Sequence, residues 1–218
     1  MTARRVRLKS APRQERSHDT LRRVLRATED LLEQSHFEDL TISQILERSE
    51  VSIGSFYARF HRKEDLLPLL YAAYSEDLAR RLRDWLEPEY WREKCLAERV
   101  RELVAQAVAT YRERRGLLRA VALLARSRPS AMGKSAVSER AGQYRAMAGL
   151  LLQCRDEIRH PVPATAVETG IFFTLAACRD KILFADAPHP ASVTLTDSQL
   201  TVELARALYA YLTHASSV

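Results

Sequence analysis

Glycine and proline are scarce in these 218 residues, at six and eight. Tight turns depend on both, so a fold of many short strands and hairpins is disfavoured. Long runs of Val, Ile and Thr are also missing, while Leu, Ala, Arg and Glu, all good helix formers, dominate. The reading is an all-α fold. Cysteine is limited to Cys95, Cys154 and Cys178, widely spaced and without a C-x-x-C pair. That leaves no disulfide framework and suits buried thiols in a reducing cytoplasm. No stretch reaches the ~18 apolar residues of a membrane span. The longest candidate, residues 171–178, is too short, and the N-terminal residues lack the apolar centre of a signal peptide. A cytoplasmic protein with no membrane contact is expected.

Charge is unevenly placed. Residues 1–23 hold eight Arg and Lys against Glu15 and Asp19, which accounts for the whole net charge of +6 and leaves the rest neutral. A basic segment ahead of a neutral body is a footprint for polyanions, or a solubilising tail. Residues 1–16 read as a flexible basic arm.

A first helix is expected over residues 17–34, with Leu21, Val24, Leu25, Thr28, Leu31 and Leu32 at helical spacing. Thr41 and Gln44 then form a capping box, flanked by Leu40 and Ile45 at the staple positions. They start a helix of about two turns at Ile42. After a tight connection at residues 49–51, Ser52 caps another short helix reaching about Arg59. Longer helices follow over about 63–86, 94–113, 115–127, 130–159, 163–185 and 196–214. Breakers separate them at Pro88, Gly116, Pro129, Pro161, Pro163 and Pro188–Pro190. Two short helices joined by a tight turn behind a supporting helix read as a helix-turn-helix. On the second, Phe56 and Phe60 share one face, with Val51 as a further apolar anchor, while Gly54, Ser55, Tyr57 and Ala58 point away. A small, nearly uncharged face can approach base edges in a major groove.

Ile42-Ser43-Gln44-Ile45, Val51-Ser52-Ile53-Gly54-Ser55-Phe56-Tyr57-Ala58-Arg59-Phe60 and Lys63-Glu64-Asp65-Leu66-Leu67 together resemble the DNA-binding domain of the TetR family. The likeness spans about residues 17–70. It implies an N-terminal three-helix DNA-binding domain (17–75) joined to a larger helical ligand-binding and dimerisation domain (76–218), with the boundary inside the helix near residues 70–85. It further implies that Thr41 and Ser43 sit where helix meets backbone and groove. Ile53, Gly54, Ser55 and Ala58 would meet bases, and Tyr57 and Lys63 would grip phosphates. Ser52 would cap its helix and aim N–H groups at a phosphate. Three positions depart from the family pattern. Ser49-Glu50 replaces Ala-Gly, so Glu50 needs a less relaxed backbone. Arg59 replaces His or Tyr and adds a possible phosphate contact. Arg62 replaces a small polar cap, weakening the start of the next helix. With no Arg, Gln or Asn on the reading face, discrimination would lean on thymine methyls, on Ser43 and Ser55, and on arm arginines in a minor groove.

The same resemblance implies a homodimer through the last two helices and a small-molecule effector that releases a repressor from its operator. Val167, Ile171, Thr174, Cys178 and Ile182 form one apolar stripe; Leu200, Leu204, Leu208 and Tyr211 form another. Either can meet a symmetry mate or its own core. Tyr111, Tyr144, Met147, Cys154 and Phe173 are candidate pocket residues, for an apolar or aromatic ligand. Other readings are a helical adaptor without specific DNA binding and a metal enzyme. For the latter, Glu15/His18, Glu33/His36 and Glu157/His160 have E-x-x-H spacing. However, these histidines lie near the arm or at helix ends, and bridging glutamates lack helical positions. No catalytic residue, cofactor or metal is therefore expected.

Overall fold

The computed structural model describes residues 11–132, 134–186 and 194–214. All the regular elements among them are helical. The first is α1, Ala11–Leu32. It begins six residues before the expected start, so residues 11–16 of the expected arm are helical; residues 1–10 lie outside the described region. Its stripe is amphipathic as read: Val24, Ala27, Thr28 and Leu32 are buried, with Leu21, Leu25 and Leu31 packed beside them. The Thr28 hydroxyl is satisfied by donating to the Val24 carbonyl at 2.8 Å.

The short helices α2, Ile42–Ser49, and α3, Ile53–Tyr57, follow. A one-turn 3-10 segment, Lys63–Asp65, leads into the long α4, Leu66–Trp85. The expected break at Pro88 is a single helical turn, α5, Pro88–Trp91, with proline in its first turn. Its Trp91 is buried edge-on against Trp85 and donates to the Trp85 carbonyl at 2.6 Å, covering the end of α4.

The rest of the chain forms α6, Leu96–Glu113; α7, Arg115–Ser127; α8, Lys134–Leu152; α9, Pro163–Cys178; and α10, Asp197–Thr213. Residues 130–159, expected as one helix, instead divide into the 3-10 turn Pro129–Met132, α8, and a second 3-10 turn, Arg155–Glu157. The helix expected to reach residue 185 changes at Arg179–Leu183 into a π turn, whose Ile182 carbonyl takes a hydrogen bond from Arg115 at 2.9 Å. The Pro188–Pro190 loop lies outside the described residues. No described helix is long and apolar enough to cross a membrane.

One apolar core runs through both halves, from Val24, Ile45 and Phe56 to Leu103, Val167 and Leu212. The N-terminal helices meet the larger bundle at α7. A Cβ on Gly116 would fall 2.0 Å from the Leu32 carbonyl oxygen, so only glycine permits this backbone contact between α7 and the end of α1. Arg119 to Glu38 at 2.7 Å and Arg115 to Asp186 at 2.5 Å flank it.

The first apolar stripe expected at a dimer contact faces its own core: Val167, Ile171, Thr174, Cys178 and Ile182 are all buried. Leu200 and Leu208 are buried too, with Leu204 partly so; of the second stripe only Tyr211 is exposed. The apolar side chains that α9 and α10 leave outside are Phe172, Phe173, Val202, Tyr209 and Tyr211. The run 171–178 is apolar on two sides of its helix, and periodicity alone does not say which side turns inward.

Candidate nucleic-acid interface and ligand cavity

The turn between α2 and α3 is built from backbone demands first. Thr41 Oγ1 accepts the Gln44 N–H at 3.2 Å and Gln44 Oε1 accepts the Thr41 N–H at 2.8 Å, completing the capping box. Both staple residues, Leu40 and Ile45, are buried. Glu50 closes α2 in the left-handed region at φ 52°, the one such non-glycine residue among those described. Glycine would adopt that conformation without strain. Here Arg23 of α1 donates to the Glu50 carbonyl at 2.8 Å and lies 3.3 Å from its carboxylate, tying the turn to the supporting helix.

In α3 the Ser52 hydroxyl accepts the Ser55 N–H at 3.3 Å and meets the Ser55 hydroxyl at 2.9 Å. Phe56 is fully buried and Phe60 nearly so, with ring centroids 5.1 Å apart, and Val51 closes the same cluster. Burying such a ring contributes about 3 kcal/mol. These side chains fix the rotation of α3 about its own axis. The opposite flank is therefore exposed: Ser52, Ile53, Gly54, Ser55, Tyr57, Ala58 and Arg59 all face outward, as do Thr41 and Ser43. The Tyr57 ring stands edge-on to Phe56, 5.5 Å away. Nothing lies within 4 Å of where a Gly54 Cβ would be.

Lys63, expected at a phosphate, is held within the protein. Its ammonium donates to three carbonyls, Phe37 at 2.8 Å and Glu38 and Leu40 at 2.7 Å each. All three donors are used, so this side chain clamps the loop between α1 and α2 in the DNA-free chain. The weak start expected from Arg62 is also offset. Asp65 reaches back to accept the N–H groups of His61 at 2.9 Å and Arg62 at 3.3 Å. Although burial pushes its carboxyl up, those N–H groups and the Arg62 guanidinium hold it below the ordinary carboxylate value. An acid at the third position of a helix was legible in Arg62-Lys63-Glu64-Asp65 as half a capping box.

Within the bundle two cavities adjoin, sharing Tyr111, Tyr144 and Leu175. The larger, about 430 Å³, opens between α8 and α9. The smaller, about 70 Å³, lies among α4, α6 and α8, and Met147 lines it. Three of the five expected pocket residues thus come together. Cys154 and Phe173 do not. The Cys154 thiol contacts the Lys94 carbonyl at 3.7 Å, and Phe173 points to solvent one residue from Phe172, which does line the larger cavity. Sequence reasoning missed Tyr74, Gln143 and Arg140, all on the smaller cavity. The spacing of Arg140, Gln143, Tyr144 and Met147 at i, i+3, i+4 and i+7 carried the signal.

Among the described residues, the members of the E-x-x-H pairs do not gather into a metal-ligating cluster. Glu157 accepts the Leu96 N–H at 3.0 Å, His160 accepts the Val162 N–H at 3.1 Å, and His36 lies 3.6 Å from Asp186.

The family profile of bacterial regulatory proteins, tetR family, matches residues 24–70, the segment that holds this turn. That segment is similar to the DNA-binding domain of the TetR family. No curated protein matches the chain. Solved structures do. A Mesorhizobium loti MAFF303099 protein described as a TetR-family transcriptional regulator is 15% identical, with a TM-score of 0.62 over 94% of this chain and 98% of that one. A TetR-family protein of Syntrophomonas wolfei is 18% identical, with a TM-score of 0.56 over 94% and 99%. Salmonella enterica GusR is 19% identical, with a TM-score of 0.51 over 88% and 95%. What the chain shares with these structures is the fold, an all-helical architecture with the helix-turn-helix segment at its N-terminal end.

Proposed function

We propose that the chain is a cytoplasmic, dimeric repressor that reads operator DNA with α3 and releases it when a small molecule occupies the bundle. The observation that carries this reading is the exposed flank of α3, opposite the buried Phe56 and Phe60. Gly54, Ser55 and Ala58 would approach base edges, with Ile53 against thymine methyls; Thr41, Ser43, Ser52, Tyr57 and Arg59 would hold the phosphate backbone. Lys63 supports this surface from behind, through the loop that precedes α2. The basic segment 1–16 adds arginines for an adjacent minor groove. The domain division falls near residues 75–76, inside α4.

Dimerisation would use the outward apolar residues of α9 and α10, chiefly Phe172, Phe173, Val202 and Tyr209. A two-fold contact of that kind sets the two reading helices a fixed distance apart, about 34–36 Å for half-sites one turn apart. Tyr74 and Leu78 of α4 line the smaller cavity, so a ligand there bears directly on the helix that carries the reading domain. The ligand shifts the equilibrium only by its differential affinity for the two states.

The test is fluorescence anisotropy with DNA from the region upstream of the gene, over a salt series, for wild type and Ala58→Glu. A specific complex that persists where binding to unrelated DNA is lost, and that Ala58→Glu abolishes without lowering the melting temperature, supports the reading. A wholly salt-labile complex indifferent to sequence overturns it in favour of an adaptor.

A further inference from the structure

The paired cavities hold a charge that the apolar-ligand expectation does not explain. Arg140 projects from α8 into the space among α4, α6 and α8. Its Nε donates to the Tyr144 hydroxyl at 3.1 Å, and its guanidinium sits 5.2 Å from the centre of that ring. Among the described residues, no carboxylate lies within 4 Å of it. The larger cavity adds Arg145 and Arg179, likewise without an ion pair among the described residues, against one acid, Glu168. The polar cleft between α1 and α7 differs in this respect. There Arg114 faces Glu29, Arg115 faces Asp186 and Arg119 faces Glu38.

The hydroxyls around Arg140 add a second, independent observation. The Tyr74 hydroxyl is buried, lines the same cavity and, apart from the pull of the neighbouring Arg140, has no partner; a guanidinium only donates, so the hydroxyl proton is left without an acceptor. Burial pushes its ionisation up against the opposing pull of Arg140, and burial pushes Tyr111 up to about 12. Both therefore keep their protons at neutral pH. A half-buried guanidinium beside an unpartnered O–H donor is costly to leave unmatched. Together they form a receptor for negative charge set in apolar walls of Leu78, Leu103 and Met147.

We propose that the paired cavities take a small organic acid, its apolar or aromatic body in the larger one against Ile171, Phe172 and Leu175 and its carboxylate reaching past Tyr144 to Arg140 and the Tyr74 hydroxyl in the smaller. The assignment rests on the ligand-responsive reading above and names the class of effector. A carboxylate accepts a bidentate pair from guanidinium, a stronger contact than any neutral group can make there.

The experiment is calorimetry and thermal melting of the full chain with benzoate, phenylacetate and 4-phenylbutyrate, each against its primary amide. At least one acid is expected to bind and raise the melting temperature, with its amide weaker by about tenfold or more. Arg140→Met removes the preference for acid over amide while melting at or above wild type without ligand, because an unmatched cation has gone. Tyr74→Phe, one atom smaller, weakens the acid alone. Equal response to acid and amide, including no response to either, overturns the proposal, as does a preference that survives in Arg140→Met. DNA release is read separately. Acid binding without loss of operator affinity retires the effector role and leaves the site standing. Specific DNA binding without acid preference retires the site alone.

Discussion

The proposed function assigns Gly54 and Lys63 opposite tasks, one meeting the duplex and the other holding the reader in place. No atom of the protein lies within 4 Å of a Cβ on Gly54, so its smallness serves no internal packing. Gly54→Leu should therefore leave the melting temperature unchanged or raise it, by up to about 1 kcal/mol of helix propensity. Operator affinity should fall by about tenfold or more, since the larger side chain occupies space next to the groove floor. Melting and anisotropy on one preparation separate the two effects, and a stable variant with wild-type affinity would remove Gly54 from the interface. Lys63 predicts the reverse. Losing three charge-assisted hydrogen bonds to the loop before α2, Lys63→Met should cost about 2 kcal/mol of stability. The salt slope of DNA binding should barely move. A phosphate ligand would instead reduce that slope by about one unit with stability intact.

Among the elements, α2 and α3 were the most legible, because their signals are local. The Thr41–Gln44 box, the Ser52 cap and the Phe56/Phe60 spacing each act within one turn of helix. What escaped notice depends on partners distant in sequence: Arg23 on the Glu50 turn, Lys63 on carbonyls over twenty residues back, and the inward side of α9. A helix apolar on several sides, as α9 is, leaves its facing undetermined until its neighbours are placed. The expected single helix over residues 130–159 failed for a related reason, since the turn at residues 155–157 is fixed by contacts with α6 that periodicity does not report. The start of α4 carries a pH-dependent contribution. The Asp65 carboxyl is held below its ordinary 3.8, so its cap is fully present above that value. The contribution is lost as pH falls through the lower, folded-state value. At neutral pH Asp65→Asn should cost about 1 kcal/mol. The gap between variant and wild-type melting should narrow on going to about pH 3. A constant gap would remove the carboxylate's charge from the account.

At the scale of the whole molecule, the question is what couples cavity, bundle and reading helix. Phe172 and Phe173 project from α9 at 62% and 59% exposure, a large apolar pair for a solitary chain to leave in water. Replacing both with Asp should yield monomers in sedimentation experiments and weaken operator binding, each monomer retaining its own fold because neither ring belongs to the core. A dimer that survives the double substitution would move the interface elsewhere. Within one protomer, α4 touches the smaller cavity at its middle and the helix-turn-helix at its beginning. The second link is the glycine joint between α7 and the end of α1, where main chain rests on main chain at Gly116 and Leu32. Such a bearing has no side chain to compress or to change rotamer. A tilt of α7 therefore reaches α1 without slack, and the two halves of the molecule have little freedom to drift independently at that point.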